Sequence, residues 1–106
     1  MPAATPLRLT AKAATRAIRA RAKATGNVVL TFHAQDQMAA RGITAPEVFR
    51  ILREGTVQAP PQRTAEQEWK AEMEMYLPSG GDAVAVTVLR QAERLVVVTV
   101  MWRDGE

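Results

Sequence analysis

The C-terminal part of the chain alternates apolar and polar residues with a period of two, and this pattern constrains the fold more than any other feature. In EWKAEMEMYL, residues 68–77, every second residue from Trp69 to Leu77 is apolar. Two further β-forming runs, AVAVTVLR (83–90) and RLVVVTVMW (94–102), follow after short polar segments. Such alternation is typical of strands with one buried and one solvated face. The close spacing of the runs predicts a three-stranded antiparallel meander.

The segments that precede this sheet have helical periodicity and predict the cover for its buried face. Thr44 and Glu47 form a capping box at the start of TAPEVFRILREG, residues 44–55. Pro46 fits the first turn of this helix, and Gly55 fits its stop. The predicted buried face consists of Val48, Ile51 and Leu52.

Two more helices are predicted upstream. HAQDQMAAR, residues 33–41, contains good helix formers and ends at Gly42. An alanine-rich segment begins after Thr10, a candidate N-cap, and Gly26 is its predicted stop. Ile18 is the only large aliphatic residue in its middle, so we expect a thin buried face and a helix that lies over the surface of the domain.

The remaining segments predict short strands and connections. NVVLTF, residues 27–32, predicts a short strand or an extended lead-in, and residues 56–67 predict a polar connection with a candidate strand at its start. The resulting fold class is α+β, with N-terminal helices packed on a three- to four-stranded antiparallel sheet. We expect a loose leader (1–8), a basic N-terminal helix (9–26) and an α+β domain (27–103).

Composition narrows the class of protein. The 106 residues are 47% hydrophobic, which fits one globular domain. The absence of cysteine excludes disulfides and thiol chemistry, and with a single histidine we expect neither a metal nor a cofactor. No apolar run reaches the ~20 residues of a membrane span, and the start of the chain lacks the apolar block of a signal peptide. We expect a cytoplasmic protein without a membrane partner.

Charge is distributed unevenly along the chain. The net charge is +3, yet the first acidic residue is Asp36 and all charges before it are basic. These are Arg8, Lys12, Arg16, Arg19, Arg21 and Lys23. A basic segment ahead of a mildly acidic body indicates a polyanionic partner or an intramolecular contact between the two. The alternative is a solvated cationic helix that keeps the protein soluble.

The stretch FHAQDQMAARGI contains the only histidine of the chain. On a helix, His33, Gln37 and Arg41 follow one another at steps of four and lie along one edge. An imidazole moves protons near neutral pH, and a guanidinium binds phosphate through two parallel hydrogen bonds. This pair suits RNA cleavage without metal. The alternative is structural: a histidine near a helix start and an arginine at a helix C-terminus.

The same stretch carries a resemblance to a known family. FHAQDQMAARGITAPEVFRILREG, together with the closing VVVTVMW, resembles the domain-of-unknown-function family 4258 over about Thr31 to Trp102. The matching positions are His33, Met38, Arg41, Gly42, Ile43, Glu47 and Val48. Gln37 departs from the pattern, because the family generally has arginine there.

That family is considered similar to RelE- and BrnT-type toxins, in which helices precede a curved antiparallel sheet and better-known members cut RNA. The resemblance implies a RelE-like, RNA-directed toxin-type domain and a metal-independent endoribonuclease as its candidate activity. The candidate catalytic residues are His33, Arg41, Glu72 and Tyr76. The candidate nucleic-acid-binding residues are Arg8, Lys12, Arg16, Arg19, Lys23, Gln37, Arg90, Arg94 and Trp102. The expected partners are RNA and an antitoxin or another protein.

Two alternatives remain open. One is a non-catalytic adaptor that binds nucleic acid or protein, which Gln37 and the lack of a second histidine favour. The other is a structural or regulatory protein whose basic helix completes its own fold or a dimer. Single residues have structural alternatives as well: Trp102 fits packing as well as stacking, and Glu72 fits a cross-strand ion pair.

Overall fold

The computed structural model describes residues 8–104 and is a mixed α+β structure, as the sequence predicts. The predicted loose leader, except for Arg8, lies outside the described residues. The helices are α1 (Ala11–Ala22), α2 (Phe32–Arg41) and α3 (Ala45–Glu54), with a short 3-10 turn at Thr25–Asn27. The strands are β1 (Val28–Leu30), β2 (Thr56–Val57), β3 (Gln62–Arg63), β4 (Trp69–Leu77), β5 (Gly81–Arg90) and β6 (Arg94–Trp102).

The sheet is larger than the three to four strands predicted, and it is not wholly antiparallel. Its six strands follow the order β1-β6-β5-β4-β2, and β3 also pairs with β4. β1 runs parallel to β6, whereas the other pairs are antiparallel. β1, β2 and β3 have only two or three residues each, which is too short to show a period of two. Pro60 and Pro61 separate β2 from β3 on the same edge of β4, where a missing backbone N–H is tolerated.

Local capping signals set α2 and α3, and both helices end where the sequence predicts. Thr44 Oγ1 accepts from the Glu47 N–H at 3.2 Å, and Glu47 Oε1 accepts from the Thr44 N–H at 2.9 Å, which completes the predicted capping box. Gly42 ends α2 in the left-handed conformation with φ 68°. The predicted buried face of α3 is confirmed, since Val48, Ile51 and Leu52 are fully buried.

α1 begins at its predicted N-cap but ends earlier than predicted. Thr10 Oγ1 accepts from the Ala13 N–H at 3.0 Å. The helix ends at Ala22 rather than at Gly26. At this end the Lys23 and Ala24 N–H groups donate to the Ala20 and Arg21 carbonyls, as in a 3-10 turn, and Arg53 Nε donates to the Ala22 carbonyl at 2.8 Å.

α1 packs on the body of the domain through a narrow strip of small residues and one large one. Ala14, Ile18 and Ala22 are fully buried. Beside them, Thr15 Oγ1 accepts from the Val57 N–H of β2 at 2.9 Å. This contact satisfies a strand donor, so α1 is part of the folded core rather than a projecting arm.

The main core lies between the helices and one face of the sheet. Its largest fully buried side chains on the sheet are Met73, Leu77, Leu95, Val97 and Val100. The opposite face carries charged side chains on β4, among them Lys70 and Glu72, and buried valines on β5 and β6, among them Val84 and Val96. The two faces therefore differ in chemistry, and any side chain on a strand belongs to one or the other.

Ile18→Ala should destabilise the protein by about 2 to 5 kcal/mol, because it removes the one large buried side chain of α1 and leaves a cavity. Ile18→Val should cost only about 0.5 to 1.5 kcal/mol. Urea denaturation measures both. The control is Arg16→Ala on the exposed side of the same helix, which should change stability by no more than about 0.5 kcal/mol. If Ile18→Ala lost no more stability than the Arg16→Ala control, this result would contradict the packing described for α1.

The lowered pKa of Glu47 predicts that the stability of the protein depends on pH. The hydrogen bond from the Thr44 backbone, followed by that from the Ser79 hydroxyl, lowers the pKa of Glu47 below its ordinary 4.5. A lowered folded-state pKa stabilises the fold above the unfolded-state pKa, and this contribution is lost as pH falls through the folded-state value. The Tm difference between wild type and Glu47→Gln should therefore be largest at neutral pH and should fall toward zero in acid. A difference that stays constant from neutral to acid pH would contradict this origin.

Candidate nucleic-acid interface

α2 covers the edge of β6 where β1 ends. β1 pairs with β6 only from Leu95 to Val97. Beyond that point Gln37 Oε1 accepts from the Val100 N–H at 2.9 Å, and Trp102 Nε1 donates to the Arg41 carbonyl at 3.2 Å. An uncovered strand edge is prone to pair with other chains. The face of α2 that contains the sequence motif thus closes this edge.

Gln37 therefore has a structural partner in the strand. The sequence predicts that Gln37 contacts nucleic acid, whereas in the structure its side-chain oxygen accepts a hydrogen bond from the Val100 backbone N–H. Arginine has only donors and could not replace this acceptor. The departure from the family pattern at this position thus has a local physical reason.

His33 and Arg41 start from well-separated backbone positions on α2. They are eight residues apart, which a helical rise of 1.5 Å per residue converts to about 12 Å. His33 is exposed in the first turn. Arg41 is half-buried in the last turn, and its Nε is buried without a hydrogen-bond partner within residues 8–104.

Glu72 and Tyr76 lie on the other face of the sheet from this helix. Trp102, which contacts Arg41, packs against the main core, whereas Glu72 and Tyr76 point to the opposite face of β4. Glu72 binds Arg103 Nη2 at 3.1 Å, and Glu74 binds the same nitrogen at 2.8 Å. The hydrogen bond with Glu74 is the main cause of the raised pKa of Arg103. The structure does not bring the four candidate catalytic residues together.

The candidate binding residues on the late strands have other contacts. Arg90 forms a two-point pair with Glu68 at 2.7 and 3.0 Å, and this pair lowers the pKa of the Glu68 carboxyl. The Trp102 ring lies against Gly80, where an added Cβ would come within 2.5 Å of the indole. Arg94 is exposed at the start of β6. Of these residues, Arg94 alone offers an exposed cation without an ion pair in residues 8–104.

The solvent side of α1 gathers the remaining candidates into one cationic surface. Arg8, Lys12, Arg16 and Lys23 are exposed. Arg16, Arg19 and Lys23 line a groove of about 530 Å³ with Ala20 and Arg53; we call this the α1 groove. None of its four basic side chains forms an ion pair with a carboxylate of residues 8–104.

Two arginines of the α1 groove are fixed by backbone carbonyls. Arg19 donates to the Gly55 and Glu54 carbonyls at 2.9 and 3.0 Å, at the end of α3. Arg53 donates to the Ala22 carbonyl and to Thr25 Oγ1 at 2.8 and 3.0 Å, at the end of α1. Sequence reasoning missed Arg53, because its position in the last turn of α3 gives no sign that α1 lies beside it.

The fold and these surfaces define the class of protein as a small α+β domain which, within residues 8–104, has three helices, a six-stranded mixed sheet and a cationic groove on α1. Comparison with known families places it more closely: the model for the domain of unknown function DUF4258 matches residues 30–102, and the chain belongs to this family. α1 precedes the matched range. No curated protein and no solved structure matches the chain.

Neither a metal site nor a membrane span is seen in the part of the chain that the structure describes. Residues 8–104 contain no group of three or more histidine and acidic side chains placed to hold a metal ion. No helix in the same range is long and apolar enough to cross a membrane.

Gln37→Arg should destabilise the protein by about 1 to 3 kcal/mol, because the Val100 N–H loses its acceptor at a part-buried site. Gln37→Glu keeps an acceptor in the same place and is the matched control. Hydrogen exchange by NMR should show faster exchange of the Val100 amide in Gln37→Arg, with protection retained in Gln37→Glu. Equal protection in both variants would mean that this hydrogen bond does not hold α2 on β6.

Proposed function

We propose that this protein is an RNA-directed binding domain that contacts the phosphate backbone through the α1 groove. The observation that carries the proposal is the groove itself. Three cations of the α1 segment and Arg53 of α3 line one surface without a carboxylate partner in residues 8–104. Arginine and lysine on one surface are what a phosphate backbone requires.

The fixed arginines make the groove suited to phosphate. Arg19 and Arg53 each use Nε and Nη2 on the partner helix, and neither Nη1 has a hydrogen bond within residues 8–104. A guanidinium already held in place loses less side-chain freedom when it binds an anion. Arg16 and Lys23 add exposed charge on either side.

The choice of RNA, rather than another polyanion, rests on the similarity of this family to RelE- and BrnT-type toxins. That similarity also implies endoribonuclease activity. Catalysis would need His33 and Arg41 to act together, and they are separated by about 12 Å along α2. Glu72 and Tyr76 lie on the far face of the sheet. The geometry therefore supports binding better than cleavage, and we propose the non-catalytic function.

Binding of labelled single-stranded RNA, followed by fluorescence anisotropy over a range of salt concentrations, tests the proposal. Kd should rise steeply with salt, with a log-log slope of about 0.7 per phosphate contact. The double variant Arg16→Ala/Lys23→Ala should bind more weakly, and its slope should be smaller by about 1.4, because two contacts are lost. The RNA should remain intact in EDTA.

The matched control is Arg50→Ala/Lys70→Ala, which removes the same charge from α3 and β4, outside the groove lining. It should retain most of the affinity and the wild-type slope. Equal losses in both double variants would show that net charge alone drives binding, and no RNA binding by the wild type would reject the function. RNA cleavage in EDTA that His33→Ala abolishes would favour the endoribonuclease instead.

A further inference from the structure

Phe32 is the most exposed large apolar side chain in residues 8–104. It is 85% exposed, compared with 64% for Tyr76 and 41% for Val29. It occupies the first position of α2, directly after the N-cap Thr31. A ring in this position contributes little to the core and therefore needs another explanation.

The backbone around Phe32 is held rigidly. Thr31 donates to the Val97 carbonyl from both its N–H and its Oγ1, at 3.2 and 3.0 Å. The same Oγ1 accepts from the Ala34 N–H at 3.1 Å, and Gln35 Nε2 donates to the Leu30 carbonyl at 2.9 Å. The ring thus projects from a corner that is fixed on both sides. A rigid platform loses little conformational freedom when it binds a flat partner.

We infer that Phe32 stacks on a nucleobase of the RNA whose phosphates lie in the α1 groove. This inference rests on the proposed function and adds a base contact to it. Aromatic rings stack on bases of any sequence, since every base has a π-face. The exposed ring of Phe32, attached to a backbone that hydrogen bonds hold in place, supplies such a surface in a domain that otherwise offers phosphate contacts.

The chain path connects the two contacts. α1 ends at Ala22; Lys23, Ala24 and the 3-10 turn Thr25–Asn27 follow, and the three residues of β1 then lead to Thr31 and Phe32. The nine steps from Lys23 to Phe32 therefore span at most about 32 Å. Several nucleotides of an extended strand cover such a distance, so one RNA segment can reach both the groove and the ring.

The surroundings of the ring favour a base over a protein partner. Protein-docking surfaces are contiguous apolar patches of several hundred Å², whereas the exposed neighbours of Phe32 along α2 are His33, Gln35 and Asp36. Asp36 lies one helical turn beyond the ring, where it repels phosphate but accepts hydrogen bonds from base N–H groups. The stacked nucleotide should therefore have its phosphate on the side of α1.

Substitution of Phe32 tests the inference in the same anisotropy assay. Phe32→Leu should raise Kd about 5- to 150-fold, which corresponds to the ~1 to 3 kcal/mol of one stacked base. Phe32→Trp should bind at least as well as the wild type. The salt slope should not change in either variant, because no phosphate contact is lost. Val29→Thr removes the other exposed apolar side chain of this corner and should leave Kd unchanged.

The outcomes separate this inference from the proposed function. If the wild type binds RNA through the α1 groove and Phe32→Leu binds equally well, Phe32 does not stack and the function stands. If the wild type binds no RNA, the proposed function fails and the stacking role fails with it. Light scattering after size-exclusion chromatography adds a third reading: a wild-type dimer that Phe32→Leu dissociates would assign the ring to self-association and overturn the inference.

Discussion

Two arginines, Arg19 of α1 and Arg53 of α3, link these helices because each one binds acceptors at the C-terminal end of the other helix. The last carbonyls of a helix lack intrahelical donors and carry partial negative charge. Arg19 binds the Glu54 and Gly55 carbonyls at the end of α3, and Arg53 binds the Ala22 carbonyl at the end of α1 and the Thr25 hydroxyl just beyond it. Both arginines lie on or beside α1, the helix that buries Ile18, and both use Nε and Nη2 for these contacts. The same four hydrogen bonds link α1 to α3 and position two of the arginines that line the α1 groove.

Part of the family motif has a structural role in this chain. Its helix closes an open strand edge, and Gln37 and the Arg41 carbonyl are used for that purpose. The Gln37 side chain and the Arg41 carbonyl hold α2 along the half of β6 that does not pair with β1. The exposed residues at the N-terminal end of the motif include Phe32, His33 and Asp36.

The sequence predicted those features that depend on neighbouring residues. The capping box of Thr44 and Glu47, the glycine stop at Gly42 and the alternation in β4 are all local signals, and the structure confirms them. The two-residue strand β3 depends on pairing with β4, and α1 ends at a contact with Arg53, so neither feature could be read from a local pattern. For β2 the sequence predicts a candidate strand but not its pairing with β4. For a related reason, the sequence could not show that the four candidate catalytic residues lie apart. Steps of four place His33 and Arg41 on one edge of a helix, but they do not shorten the distance along it.

The parallel pairing of β1 with β6 has a consequence for the order of folding. Val28 pairs with Leu95, so an early strand is completed by the last strand of the sheet. Strands that are so far apart in sequence can pair only after the chain has lost the entropy that closing a long loop requires. During synthesis, β1 and the α2 corner that depends on Val97 have no partner until β6 has been made. Because the contacts of the β4–β5–β6 meander are local, we expect it to form first and the Phe32 corner to take shape late.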